Sequence, residues 1–382
     1  MLVVTLIGSL VGERANKKYK ADKLFAALDL GTNSCRMLVV RPRNNNFEVL
    51  DSYSKSVDLG NELEGTGYLS KSSMNKAMKA LKVCKNKLDL YPLENSKFVA
   101  TEACRRAKNG RSFLKRVQYE LGLKLHIITP EEEAKYAVIG CAPLMQSGFD
   151  NVLVVDIGGG STELVWLKFN SKNTDNRLDQ LLNINLLKTV SGIGAANVTS
   201  VSLKESAGVD VVDWLSIPLG VSTLSQKFAD IEEDGVKFAL MSCDFEDHLS
   251  AFLPFNADFY LSKDINVQLI GTSGTITTLG AVHLGLQKYD RDKVDGLQLT
   301  SNEIDTVIRR LLEMGPEGRK NNPAIGTSRC DLIIPGVAII QTLLRNWPGK
   351  CMKIADRGLR DGILQTLIRS YTRQTSEDRK EV

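Results

Sequence analysis

Residues 154–167 read Val154-Val-Asp156-Ile-Gly158-Gly-Gly160-Ser-Thr-Glu163-Leu-Val-Trp-Leu167. An apolar run ends in an acid, three glycines turn the chain, and a second apolar run begins with a glutamate near its start. Glycine loses the most conformational freedom on folding, so three in a row after a strand mark close approach of another group to the backbone. Residues 27–40 repeat the pattern: Ala27-Leu-Asp29-Leu-Gly31-Thr-Asn-Ser34-Cys-Arg36-Met-Leu-Val-Val40. Aligned on the aspartates, Gly31 falls on Gly158, Ser34 on Ser161 and Arg36 on Glu163. A strand, an acid and a tight Gly turn together present backbone N–H groups and a metal-binding carboxylate to phosphate. Two copies predict two similar α/β domains with a ligand cleft between them.

Outward from the first copy, Phe47–Leu59 reads as a third strand and Ser70–Leu90 as an amphipathic helix. In that helix Met74, Ala77, Met78, Leu81, Cys84 and Leu88 recur at helical spacing, and the lysines form a solvated face. Lys97–Thr101 reads as a strand, Cys104–Leu121 as a helix and Lys124–Thr129 as a strand. Pro130 followed by three glutamates announces another helix start. The order restarts at Asn151, with strands near Asn151–Ile157, Ser161–Phe169 and Val267–Thr272 and a helix over Thr275–Leu284; polar Asn170–Gln180 reads as a hairpin loop. The plan is a flexible extension over 1–22, a first domain over 23–148, a second over 149–372 whose last helix packs back on the first, and a frayed tail over 373–382.

The 382 residues, 43% hydrophobic and 25% charged, have ordinary globular composition. A net charge of +4 admits an anionic substrate and gives no argument for nucleic acid. Seven scattered cysteines with no C-x-x-C pair favour reduced thiols in a cytoplasm over a disulfide scaffold or zinc site. Met1–Gly12 is apolar but lacks a basic leader and is too short to span a bilayer, so no membrane role is expected. His126, His248 and His283 form no metal-ligand spacing.

Gly271-Thr272-Ser273-Gly274-Thr275, continuing to Leu279, leads from a strand into a helix. Its N–H groups and hydroxyls suit an anion, and a Thr-rich helix cap is the alternative. Ala100-Thr-Glu102-Ala-Cys-Arg105-Arg106 sets two arginines side by side, and neighbours on a helix point apart, so at most one enters a cleft. Glu131, Glu132 and Glu133 are either partners of the helix dipole or the source of a carboxylate that orients a catalytic water.

Taken in order, these segments, with Arg329-Cys-Asp331 to Gly336 and Asp356-Arg-Gly-Leu-Arg-Asp-Gly362, resemble the exopolyphosphatase/guanosine pentaphosphate phosphatase family over about residues 24 to 370. It belongs to the actin-like, sugar-kinase and heat-shock-ATPase superfamily, and the resemblance is to its short form, without a C-terminal helical extension. The resemblance implies two duplicated actin-like (ribonuclease H-like) domains with an interdomain cleft. It implies Mg²⁺ (or Mn²⁺) held by Asp156 and Glu163, with Asp29 as a further ligand candidate. Glu133 would be the general base and Arg105 the cation on the phosphoryl group. Phosphates would be cradled by Gly31, Thr32, Asn33 and Ser34, by Gly158, Gly159, Gly160 and Ser161, and by Gly271 to Thr275. This chain departs from the family pattern at Cys330 and at Glu102, where Glu102 is placed to pair with either arginine. The expected activity is release of terminal phosphate from polyphosphate, guanosine pentaphosphate or both, by a homodimer with no nucleic-acid or membrane partner. The alternatives are a sensor that binds guanosine tetraphosphate or polyphosphate without turnover, and a kinase of the same superfamily.

Overall fold

The computed structural model describes residues 23–43, 46–170, 177–186, 208–255, 266–347 and 351–378, so the expected extension over 1–22 lies outside the described residues. Contacts divide the chain into two compact units: the chain up to Thr129 joined by Leu359 onward, and Pro130–Gly358.

In the first unit, β1 (Leu24–Leu30), β2 (Ser34–Arg43), β3 (Asn46–Ser56), β4 (Leu93–Ala100) and β5 (His126–Ile127) form a sheet in the order β3-β2-β1-β4-β5. The first three strands are antiparallel neighbours, and β4 and β5 add in parallel. Central β1 is covered on both faces, which is why it reads as a nearly continuous apolar run rather than an alternation. Alternate residues Ala26, Leu28 and Leu30 face a core shared with Leu81 of helix Lys71–Leu88 and Phe113 of helix Gly110–Leu121. Ser70 starts the first of these helices by accepting the Ser73 N–H at 3.2 Å.

The one helix expected over Cys104–Leu121 is two, Glu102–Arg106 and Gly110–Leu121. The break is tertiary in origin. Asn109 bridges the Leu69 N–H and carbonyl at 2.8 and 3.0 Å, and a Cβ on Gly110 would come within 2.1 Å of the Cys104 oxygen. On the opposite face of β1, helix Leu359–Asp378 buries Ile363 and Leu364, and Tyr371 meets Phe25 edge-on at 5.7 Å. Residues 373–378 are therefore helical rather than frayed, with Thr375 Oγ1 donating to the Tyr371 carbonyl at 3.1 Å.

The second unit repeats the scheme with β6 (Asn151–Ile157), β7 (Thr162–Phe169), β8 (Val209–Ile217), β9 (Val267–Thr272), β10 (Gln298–Thr300) and β11 (Cys351–Ala355), ordered β8-β7-β6-β9-β11-β10. Again the first three strands are antiparallel and the next two parallel; β10 adds an antiparallel edge. Period-two alternation splits the apolar side chains between two cores. Leu153, Val155, Leu164 and Trp166 face Phe245, Leu279 and Val337. Val152, Val154, Val165 and Leu167 face Ala134, Val138 and Ile139 of helix Pro130–Cys141. That packing assigns the helix to the second unit, so the division falls at Thr129/Pro130 and not at 148/149. The expected loop over Asn170–Gln180 falls partly outside the described residues, and its end is the start of helix Arg177–Leu182. Among the described residues no helix is long and apolar enough to cross a membrane.

Candidate active site

Each duplicated segment is a β-hairpin whose turn closes in the same way. The Gly31 N–H donates to the Ser34 carbonyl at 2.9 Å, and the Gly158 N–H to the Ser161 carbonyl at 2.9 Å. The segment after each sheet's third strand then holds the turn carbonyls. Thr32 O accepts from Gly60 N–H (2.9 Å) and Asn33 O from Val57 N–H (2.8 Å). Gly158 O accepts from Val221 N–H (3.0 Å) and Gly159 O from Ser222 N–H (2.8 Å). A trans peptide points its N–H opposite to its C=O, so the N–H groups of Asn33, Ser34, Gly159 and Gly160 are turned away from these anchors. Successive N–H groups on one side of a turn make an anion-binding concavity.

Two glycines that sequence reasoning missed make the anchors possible. A Cβ on Gly220 would lie 2.5 Å from the Gly158 oxygen, and one on Gly60 would lie 2.3 Å from Thr32 Cγ2. The signal was present as a further repeat, Val57-Asp-Leu-Gly60 against Ile217-Pro-Leu-Gly220, hidden because Phe47–Leu59 reads as one strand.

Register sets which side chains share a row. Across the second sheet, Ser216, Glu163, Asp156 and Thr272 stand directly opposite one another on β8, β7, β6 and β9. Asp156 shares its face with Val152 and Val154, and Glu163 with Val165 and Leu167, which is the face covered by helix Pro130–Cys141. Glu133 sits in the first turn of that helix, one residue before buried Ala134, and is itself only 9% exposed. Glu163 is 2% exposed and accepts the Ser216 hydroxyl at 2.9 Å. The equivalent row of the first sheet is Ser54, Arg36, Asp29 and Val99. Burial raises the Asp29 carboxyl above its ordinary value, against the opposing pull of Arg36 and Arg360.

The metal candidates do not form one cluster. Among the described residues no three His, Cys, Asp or Glu side chains converge closely enough to hold an ion, and Asp29 belongs to the other unit from Asp156 and Glu163. The remaining pair of carboxylates on adjacent strands is hard-oxygen, and Glu163 is held by the Ser216 hydroxyl. Mg²⁺ is ordinarily bound by one or two carboxylates, with water and substrate phosphate completing its shell, so the pair fits Mg²⁺ or Mn²⁺.

Two groups of candidates, the arginine pair and the Gly271 to Thr275 loop, are engaged within the protein. Arg105 is engaged internally: its Nε donates to Glu102 at 3.1 Å and its Nη1 to the Ile128 carbonyl at 2.7 Å. Arg106 turns to Glu64, at 2.6 and 2.9 Å. The loop Gly271 to Thr275 is a self-capped helix start. Ser273, at φ 143°, accepts the N–H groups of Thr275 and Ile276 at 3.2 and 3.3 Å, which engages the Thr275 donor. Its neighbours are committed to packing: a Cβ on Gly271 would meet Ile276 Cδ1 at 2.8 Å, Thr272 donates to the Arg357 carbonyl, and Thr275 abuts Gly336. Gly274 accepts the Thr278 hydroxyl at 2.7 Å.

Two sheets of this order, each with a tight glycine turn between its first two strands, define an actin-like (ribonuclease H-like) α/β protein. The family model described as the Ppx/GppA phosphatase family matches residues 38–175 and 199–370, and the chain belongs to that family. It is 28% identical over 335 residues to a bifunctional 3-dehydroquinate synthase/phosphatase of Fusobacterium nucleatum; the match covers 86% of this chain and 44% of that protein, so the chain spans under half its relative's length. The Aquifex aeolicus member of the Ppx/GppA family is 26% identical with a TM-score of 0.67, over 91% of this chain and 98% of that one. An exopolyphosphatase from Cytophaga hutchinsonii shares the fold, with a TM-score of 0.73 at 19% identity over 91% of this chain and 98% of that one.

Proposed function

We propose that the protein is a Mg²⁺-dependent phosphohydrolase that releases terminal phosphate from inorganic polyphosphate, guanosine pentaphosphate or both. The observation that carries this reading is the row Ser216–Glu163–Asp156 beside the Gly158–Ser161 turn, a carboxylate pair next to outward-turned N–H groups. Family membership supports the phosphatase class. Phosphoryl transfer asks little covalent chemistry of a protein and mainly positioning and charge neutralisation. Bound at Asp156 and Glu163, Mg²⁺ or Mn²⁺ would neutralise phosphate charge. Ser216 fixes the Glu163 carboxylate for that task. The N–H groups of the glycine turn take the equatorial phosphate oxygens. Glu133 orients the attacking water and takes its proton as the P–O bond forms, while the shortened phosphate chain leaves with the bridging oxygen. Arg105 would meet a phosphate after its pair with Glu102 opens.

Phosphate release with Mg²⁺ from long-chain polyphosphate and from guanosine pentaphosphate, at matched concentrations of chain ends, tests the proposal. A strong preference for one substrate names the activity, and comparable rates make the protein a dual phosphatase. Release that needs an acceptor hydroxyl points to a kinase. Binding of both without release replaces the enzyme with a sensor.

A further inference from the structure

Residues 176–198 stand outside the family match, which stops at 175 and resumes at 199. The described part of that stretch, 177–186, is built into the interior of the second unit. Arg177 is 2% exposed. Its Nη1 and Nη2 donate to the Gln146 and Phe149 carbonyls at 2.7 and 3.2 Å, and its guanidinium lies 4.2 Å from the centre of the Phe169 ring. Leu181, Ile184 and Leu186 join the core of Ala134, Val138 and Ile139, three residues of helix Pro130–Cys141. At the other end Lys135 Nζ donates to the Ile184 carbonyl at 2.8 Å. The segment therefore runs antiparallel to that helix, from the Gln146 end back to Lys135, two residues from Glu133. Glu133 stands in the first turn. The first N–H groups of a helix have no intrahelical acceptor, so this turn opens most readily. Where its carboxylate sits then depends on what holds the next turn from outside. Lys135 holds it with a charged donor. Burial pulls the Lys135 ammonium below its ordinary value, and the carbonyl it meets offsets that cost.

We infer that residues 177–186 are a brace, latched by Arg177 and Lys135 to the helix that carries Glu133 and to the loop after it, and that Lys135 is a positioning residue for the Glu133 carboxylate. The effect on turnover rests on the function proposed above; the bracing of the helix does not. Lys135 acts through the helix rather than on substrate, so its loss should reach kcat and spare KM.

The test uses the full chain and two measurements: hydrogen exchange of the backbone amides over 131–141, and steady-state phosphate release from polyphosphate with Mg²⁺. Lys135→Met keeps the aliphatic stem and removes the donor. It should speed exchange in the first two turns about tenfold, the size of a lost charge-assisted hydrogen bond. It should also lower kcat about tenfold, with KM within twofold of wild type. Lys135→Arg should recover most of both losses. In a Glu133→Gln background, Lys135→Met should cost less than a further twofold in kcat, because a residue that works through Glu133 has nothing left to position. Thermal unfolding checks that each variant folds. Should Lys135→Met not fold, Arg177→Lys, which gives up one of the two carbonyl contacts, reads the other latch and should speed the same exchange at least threefold. Unchanged exchange overturns the brace. Faster exchange with undiminished kcat overturns the positioning role, and so does a full tenfold further loss in the Glu133→Gln background. Normal turnover in Glu133→Gln alone, or no phosphate release by the wild type, removes the proposed function and the positioning role together, and exchange still decides the brace.

Discussion

The hairpin at Gly31–Ser34 and the hairpin at Gly158–Ser161 close with the same hydrogen bond, are anchored by the same kind of segment and lean on a glycine in the same position. Their side chains diverge. One row pairs Asp29 with Arg36, the other Asp156 with Glu163. The backbone framework is repeated, and the two copies differ at a single cross-strand position and in the first turn of the helix laid over each. On the function proposed above, the glycine turns would receive phosphate and the Asp156–Glu163 pair would hold the cation.

Removing divalent ions is the most severe way to probe the comparison. Chelation by EDTA should abolish phosphate release, and Mg²⁺ should restore it; undiminished turnover in EDTA would leave the acidic row without its proposed role. Glu133→Gln should lower kcat by about 10²–10⁴ with little change in KM, since it removes a general base and no binding contact. Near-normal turnover in steady-state assays of that variant would return Glu133 to the helix dipole. Ser216→Ala leaves Glu163 without its hydroxyl partner and should cost about tenfold in Mn²⁺ affinity, with kcat at saturating metal nearly unchanged. Its counterpart Ser54→Ala should leave Mn²⁺ affinity unmoved, and equal losses in both would erase the distinction between the rows. The anchors separate the halves by the smallest margin. Gly220→Ala forces a methyl against backbone and should cost about 1–3 kcal/mol, lowering Tm by about 3–10 °C. Gly60→Ala meets only the Thr32 methyl end and should lower Tm by less; calorimetric scans that reverse this order would contradict the account of the two anchors.

Where the fold was legible, local pattern decided it. Asn151–Ile157 and Val267–Thr272 are strands with the bounds expected from their apolar runs and the glycines that end them. The facing of Asp156 and Glu163 follows from a tight turn, since close residues on either side of a hairpin must oppose each other. Features set by distant partners were not legible. The break at Ala107–Asn109 depends on Leu69, and Ser216 reaches Glu163 only through the register of β8. Three-residue β10 carries too little pattern to read. The Gly271–Thr275 loop shows the converse. Its composition suits either an anion or a cap, and Ser273, in an unusual backbone conformation, caps the helix there. Arg360 was invisible as a neighbour of Asp29 because more than three hundred residues of chain separate them.

That separation has a consequence for how the molecule is made. The helix that follows the last strand of the first unit is Pro130–Cys141, and it packs in the second; the helix after β11 is Leu359–Asp378, and it packs in the first. As the chain leaves the ribosome, the unit that emerges first is the one that must wait. One face of β1 stays bare until Ile363 and Leu364 arrive to cover it, so the second unit can consolidate while the first is still exposed to chaperones and proteases.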